Sequence, residues 1–317
     1  MSNVVSMLTR AEVDENAVIP HDDWRDWVTL TKPRVMSLVV FTGLVGLLVA
    51  PGHINPVLGV AAVLAIAIGS GAAGAINMWY DRDIDRLMRR TAGRPIPMGL
   101  IKPRDALGFG IVLSGAAVGL IGLATNWVAA LVLALSIAFY VGIYTMWLKR
   151  RTPMNIVIGG AAGAFPPLIG WAAVTGSIGV LPLLMFAITF FWTPPHFWSL
   201  ALYAETDYER AGIPMLPVSH GASETRRQIL IYALLLLPIS LLTTILGLAG
   251  RFYGLVALLM GLAFIVHALA VYRDQSDARG TSGDEDRPAR RAFRFSLVYL
   301  AVLYLAFAID AWIKHAS

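Results

Sequence analysis

The chain has 317 residues, of which 57% are hydrophobic and 14% charged, with a mean hydropathy of +0.67 and a net charge of +5. A soluble domain of this length has too little interior to hide so much apolar surface, so the composition excludes that class and defines an integral membrane protein. The lack of cysteine excludes disulfides and thiolate metal sites, leaving carboxylates and histidine for any metal chemistry.

The first 30 residues carry Glu12, Asp14, Glu15, Asp22, Asp23 and Asp26 but few basic residues. They resemble neither a signal peptide nor an Arg-rich organellar transit sequence. Residues 1–30 are expected to form a mobile cytoplasmic tail, with Trp24 and Trp27 resting at the interface, and residues 31–317 a single membrane domain. Nine apolar segments then follow that approach or exceed the ~20 helical residues needed to cross a hydrocarbon core. They cover 35–50, 57–80, 106–125, 127–148, 154–175, 180–203, 228–248, 252–272 and 295–313. The expected fold is all-α, with nine transmembrane helices around a central cavity. The polar block at 274–291 mixes both charges around Gly280 and Gly283 and reads as a solvated loop.

The connections alternate sharply in charge. Of the 25 Lys and Arg residues, 23 fall before the first span or in the even-numbered connections, leaving Arg251 and Lys314 on the other side. The positive-inside rule then predicts a cytoplasmic N-terminus and an external C-terminus. The net positive charge reads as topology and contact with anionic lipid, not as nucleic-acid binding.

The second span ends in Asn77-Met-Trp-Tyr-Asp81-Arg-Asp83-Ile-Asp85-Arg86, followed by Arg89-Arg90-Thr91-Ala-Gly-Arg94-Pro95. Spacing by four stacks Asn77, Asp81 and Asp85 on one helix face, each about 6 Å above the last. Aligned carboxylates repel unless a cation sits between them. Magnesium suits that place, since it takes hard oxygen ligands and shares its shell with water and substrate phosphates. Asp83 points away from that face and is equally suited to an arginine salt bridge. Arg94, stiffened by Pro95, and Arg86 offer always-charged planar donors to phosphate oxygens, and Lys32, Lys149 and Arg150 are further donors at span ends. Such a surface is suited to holding a diphosphate.

A weak internal repeat accompanies this motif. The sixth span ends in Tyr203-x-x-x-Asp207-Tyr208-Glu209-Arg210, four spans after the first acidic cluster and on the same side. Parallel repeats of spans one to four and five to eight would bring the two clusters face to face.

The run Asn77-x-x-x-Asp81-x-x-x-Asp85 with Arg90-Thr91 and Arg94-Pro95 behind it resembles the first Asp-rich motif of intramembrane prenyltransferases of the UbiA type. The similarity extends through Thr29-Leu-Thr-Lys32-Pro33-Arg34, the stretch from Tyr144 through Lys149-Arg150-Arg151 to Asn155-Ile-Val-Ile-Gly-Gly, and Ala164-Phe-Pro166-Pro167. It continues through Thr193-Pro-Pro-His196-Phe-Trp and Asp207-Tyr-Glu-Arg-Ala-Gly212-Ile-Pro214. The second motif is less acidic than in relatives that prenylate 4-hydroxybenzoate, which favours the branch that modifies heme. That resemblance implies transfer of a farnesyl group from farnesyl diphosphate to the 2-vinyl group of protoheme IX (heme b), with addition of water.

It also implies Mg2+ held by Asp81, Asp85 and Asp207, with Asn77 as a fourth catalytic residue. The substrate-binding set it implies is Lys32, Arg86, Arg94, Tyr144, Lys149, Arg150, His196 and Tyr203. His196 follows two prolines inside a span, where a broken helix is expected, and is a candidate heme contact. Trp79, Tyr80, Tyr140, Tyr144 and Trp198 offer π-faces to an allylic cation. The expected location is the bacterial cytoplasmic membrane, with room for partners in oxidase assembly or heme A synthesis. Two other readings stay open: prenylation of a quinone-precursor ring, and a secondary transporter. Against the transporter, these acids sit at helix ends and not at the bilayer midplane.

Overall fold

The computed structural model describes residues 23–275, 277 and 280–316, and the described residues form helices and connections with no strand. Residues 1–22, most of the expected tail, lie outside the described residues. The tail's last segment is a helix, α1 (Trp24–Leu30), capped by Asp23, which accepts from the Arg25 N–H at 2.9 Å. Trp27 meets Phe109 edge-on at 5.1 Å and Leu30 is buried, so this segment packs on the domain, while Trp24 stays exposed.

Proline opens several of the helices that follow, because its missing N–H falls where a helix offers no acceptor. Pro33 opens α2 (Pro33–Leu48), which meets α1 at 55°. Lys32 makes that bend from the left-handed region, at φ 53°. Pro56 opens α3 (Pro56–Tyr80) behind an Asn55 cap, and one further turn, α4 (Arg82–Asp85), extends it. Next come α5 (Pro103–Ala124) and α6 (Trp127–Ala138), the latter passing into a π-helix over Phe139–Leu148. The Asn126 carboxamide caps α6 by accepting from the Ala129 N–H, and donates to the Ala172 carbonyl at 2.8 Å. A single span is then split at Phe165 into α7 (Asn155–Ala164) and α8 (Pro166–Thr175).

The second half comprises α9 (Val180–Tyr203), α10 (Glu205–Arg210), α11 (Leu216–Ile245), α12 (Arg251–Arg273) and α13 (Arg287–Ala316). The break expected in the sixth span is not there: α9 runs continuously through Pro194 and Pro195. Hydroxyls bridge successive turns on either side, Thr193 donating to the Thr189 carbonyl and Ser199 to the Pro195 carbonyl. Such side-chain bonds and close helix packing keep a proline-bearing span helical. Gly221 (φ 84°) interrupts α11 near its start.

Among the described residues, eight spans are long and apolar enough to cross a membrane, or nine if the bent α1–α2 pair counts as one, and the chain is a multi-pass membrane protein. One hydrophobic cluster is built mainly from α9, α11, α12 and α13, and a second from α3, α5, α6 and α8. The block at 274–291 is less solvated than expected. Buried Arg226 donates to the Gly280 and Val271 carbonyls and pairs with Asp274 at 3.4 Å and Asp286 at 3.0 Å, and α13 already begins at Arg287. A buried guanidinium demands such partners, and they tie the loop to α11.

Within the first half, α2 and α8 pack with almost no side chain between them. A Cβ on Gly170 would strike the Gly43 carbonyl oxygen, and one on Gly46 the Pro167 backbone. Small residues permit this approach, which in lipid depends on van der Waals contact. Gly170→Val is therefore expected to lower the unfolding midpoint in detergent by roughly 5 °C or more, as for overpacked cores, followed by tryptophan fluorescence on heating.

Candidate active site

The expected stacking of Asn77, Asp81 and Asp85 is realised by two successive backbone bonds: the Asp81 N–H donates to the Asn77 carbonyl at 2.9 Å and the Asp85 N–H to the Asp81 carbonyl at 2.8 Å. Helical register thus persists past the end of α3. Both carboxylates are fully buried, and Asn77 nearly so. Charged groups in such a position require partners. Lys149 pairs with Asp81 Oδ2, Arg150 Nη2 lies 3.5 Å from Asp81 Oδ1, and Arg94 Nη1 lies 2.6 Å from Asp85 Oδ2. Asn77 links the helices, accepting from Lys32 Nζ at 2.6 Å and donating to Asp81 Oδ2 at 2.8 Å and to Thr145 Oγ1 at 3.1 Å. Its oxygen is thereby engaged with a cation.

Asp83 takes the arginine alternative. Arg150 grips both its oxygens at 2.7 Å, holding the Asp83 carboxyl below its usual range and raising the guanidinium. The same guanidinium lies 4.9 Å over the Tyr80 ring. The π-helix closes with the Lys149 N–H donating to the Tyr144 carbonyl five residues back, and such winding is frequent at functional sites. Tyr144 meets Tyr140 at a tilt of 31° with ring centroids 5.4 Å apart, and lies against Gly159, where a Cβ would collide with the ring.

Other expected residues stand apart. Arg86 is exposed and pairs with no acid among the described residues. Trp79 lies 5.7 Å beneath the Arg82 guanidinium. Trp198 is buried in the core of the second half, edge-on to Tyr232. Asp207 on α10 is half-buried. No group of three or more His, Asp or Glu side chains among the described residues is arranged to hold a metal, so Asp81, Asp85 and Asp207 do not form one closed set. Their loops do meet: Ile84 and Met88 share a hydrophobic cluster with Tyr208, Ile213 and Met215.

His196 lies between the rings of Trp192 (4.3 Å) and Phe293 (4.6 Å), with Nδ1 2.6 Å from Ser296 Oγ. The Ser296 hydroxyl donates to the Phe293 carbonyl, so it accepts from His196, which places the ring proton on Nδ1 and leaves a lone pair on Nε2. Tyr203 lies 4.5 Å below Arg290. Arg290, Phe293 and Ser296 all come from α13, a hundred residues along the chain from His196, and no local sequence signal links them. Trp192, four residues before His196 on α9, was the one partner that helical spacing could have revealed.

The fit of the first cluster to magnesium rests on two buried atoms, Asp81 Oδ1 and Asp85 Oδ1, which accept no hydrogen bond. Two hard, anionic, unbonded oxygens on one helix face match the donors this ion takes.

A model of the UbiA prenyltransferase family matches residues 39–283, and the chain belongs to that family. It is 64% identical over 288 residues, 91% of each chain, to a protoheme IX farnesyltransferase of Granulibacter bethesdensis. It is 61% identical, over 90% of each chain, to a protoheme IX farnesyltransferase of Acidiphilium cryptum. The fold matches a digeranylgeranylglyceryl phosphate synthase with a TM-score of 0.73 at 18% identity, covering 91% of this chain and 98% of that one. A UbiA homolog from Archaeoglobus fulgidus bound to DMAPP and Mg2+ matches with a TM-score of 0.63 at 15% identity, covering 90% and 99%.

The buried pair at the centre of the site is open to a direct test. Removing one partner of a buried ion pair is more damaging than removing both. Lys149→Met is expected to lower the unfolding midpoint, and adding Asp81→Asn to recover part of the loss. Simple addition of the two effects in thermal unfolding would mean that the pair is not coupled.

Proposed function

We propose that this chain transfers the farnesyl group of farnesyl diphosphate to the 2-vinyl group of protoheme IX, with addition of water, giving heme O and diphosphate. The observation that carries this reading is the identity of 64% and 61%, over nine-tenths of each chain, to protoheme IX farnesyltransferases. The basic groups around Asp81 and Asp85 support it, since the departing group is an anion. In the reaction C1 of the farnesyl group leaves pyrophosphate and bonds to the terminal vinyl carbon. The oxygen of water then bonds to the inner vinyl carbon and a proton is released.

Arg94, Lys149 and Lys32 are assigned to the diphosphate, with Arg150 held beside them by Asp83. Asn77 orients Lys32 against Asp81 and Thr145. Asp81 and Asp85 would hold Mg2+ through their unbonded oxygens. When bound, the ion would neutralise charge on the leaving pyrophosphate. Asp207, on α10, is assigned to the same cation as a further oxygen ligand. The neighbouring rings of Tyr140 and Tyr144 are assigned to shelter the allylic cation. His196 Nε2 is assigned to the heme, as an iron ligand or orienting group. Exposed Arg86 is assigned to capture of the incoming diphosphate. Tyr203, beneath Arg290, is assigned to the porphyrin side.

The charge split along the sequence supports a cytoplasmic N-terminus in the bacterial inner membrane, so magnesium and pyrophosphate exchange with the cytoplasm while both apolar substrates enter from the bilayer. Enzymes of oxidase assembly or of heme A synthesis are assigned as partners that would receive the product.

Two measurements test the reading. Heme extracted from cells carrying the chain should gain the mass of one farnesyl group and one hydroxyl group. Asp81→Asn and Asp85→Asn should each reduce that product about 10²-fold or more while the protein stays folded and inserted. Prenylated 4-hydroxybenzoate with unmodified heme would favour the quinone-precursor alternative.

His196→Ala should weaken heme binding about tenfold or more while leaving farnesyl diphosphate affinity within about twofold, since the two sites use different helices. Titration of each substrate separately measures this. Equal loss of both would show a packing role alone.

A further inference from the structure

The start of α13 carries four arginines, Arg287, Arg290, Arg291 and Arg294, which divide into two sets. Arg287 pairs with Asp284 at 3.4 Å, and Arg291 lies on the α12 side, within electrostatic reach of His267. Arg290 and Arg294, four residues apart, share a face that looks toward α9 instead. The Arg290 guanidinium lies 4.5 Å over the Tyr203 ring. The charges of Arg290, Arg294 and, from the loop beyond α4, Arg90 all reach the Tyr203 hydroxyl. None of these three pairs with an acid among the described residues, and Asp286, one turn before Arg290, is taken by Arg226. Like charges at this spacing repel, so the cations are gathered here without an internal counterion.

The same face of α13 continues into the His196 site. Phe293, three residues beyond Arg290, stacks on the imidazole at 4.6 Å and meets Tyr203 edge-on at 6.2 Å. Ser296, three further, accepts from Nδ1 at 2.6 Å. On α9, Tyr203 stands seven residues beyond His196, about 10 Å along the axis. The pocket therefore has a nitrogen lone pair at its inner end and uncompensated cations at its outer end. Protoheme IX has the matching order, with iron at the centre of a flat ring and two propionates side by side on one edge. A propionate extends roughly 4 Å past the ring edge and the macrocycle's half-width adds about as much, so iron and carboxylate stand roughly 8 Å apart, given carbon–carbon bonds of ~1.5 Å. That separation, with the reach of an arginine side chain, closes the distance from His196 Nε2 to Arg290 and Arg294.

We propose that Arg290 and Arg294 hold the two propionates of protoheme IX, one guanidinium to each, while His196 faces the centre of the ring. The proposal rests on the heme reading of the acceptor. Guanidinium forks match carboxylates in charge and in geometry. Arg90 adds positive potential from a third side. Held by that edge, the ring turns its vinyl-bearing edge away from the membrane surface and into the protein.

The test titrates ferric protoheme IX and its dimethyl ester, which lacks both carboxylate charges, into the full-length protein in lipid nanodiscs. The ratio of the two affinities is compared between proteins, so partition of the ester into lipid cancels. Arg290→Gln and Arg294→Gln should each lower the preference for the free acid about threefold, and the double variant on the order of tenfold. Arg294→Lys keeps the charge and should retain part of the preference. Arg290, Arg291 and Arg294 are all exposed, so these changes leave the core intact. Arg291→Gln, which alters the arginine facing His267, should leave the ratio unchanged, whereas charges that serve topology alone would act alike. A ratio unmoved by the double variant, or moved equally by Arg291→Gln, overturns the site and leaves the heme reading standing. A wild-type protein that binds neither porphyrin overturns both.

Discussion

Asp81 and Asp85 are carboxylates with no access to solvent, and the end of the first half where they lie is organised around supplying them with cations. An ion in this position loses several kcal/mol of hydration even after relaxation. The compensating charges arrive from separate stretches of chain: Lys149 and Arg150 beyond the π-helix, Arg94 beyond α4, and Lys32 at the α1–α2 bend through Asn77. Because each comes from a different element, pairing them with two adjacent acids holds the ends of α2, α3, the π-helix and α7 at one level. The polar cluster thus acts as the clasp that sets helix register below it.

That register has a consequence deeper in the membrane. Once Lys32, Asn77, Thr145 and Asn155 are level, the residues one and two turns further in are level too, and several of them are small. Where Gly43, Gly46 and Gly170 meet, the helices close completely. Where Ala73, Ser70, Ala162 and Gly163 face one another, a slot remains. Without a hydrophobic drive between helices in lipid, side-chain size decides which of these outcomes occurs.

The second half meets the same demand for partners with different chemistry. Arg226 is buried and takes Asp274, Asp286 and two backbone carbonyls, which ties the loop before α13 to α11. His196 is held between Trp192 and Phe293 by ring contact and by one hydrogen bond to Ser296, with its other nitrogen unbonded. The division suits a reaction between an anionic prenyl donor and a flat acceptor: charge on one side, aromatic faces and a neutral imidazole on the other.

Local rules were enough to read the membrane class, nearly all the spans and the stacking of Asn77, Asp81 and Asp85 from the sequence. Hydropathy and the four-residue repeat depend only on neighbours along the chain. The family was legible in several short motifs in order, and Arg94, Lys149 and Arg150 were recognisable as phosphate-binding types. Pairing was not. That Arg150 takes Asp83, that Lys149 takes Asp81, that α9 stays intact through two prolines and that His196 turns to Ser296 are all settled by residues distant in sequence. A buried polar group bonds to whatever packing brings within reach, and that choice belongs to the tertiary structure alone.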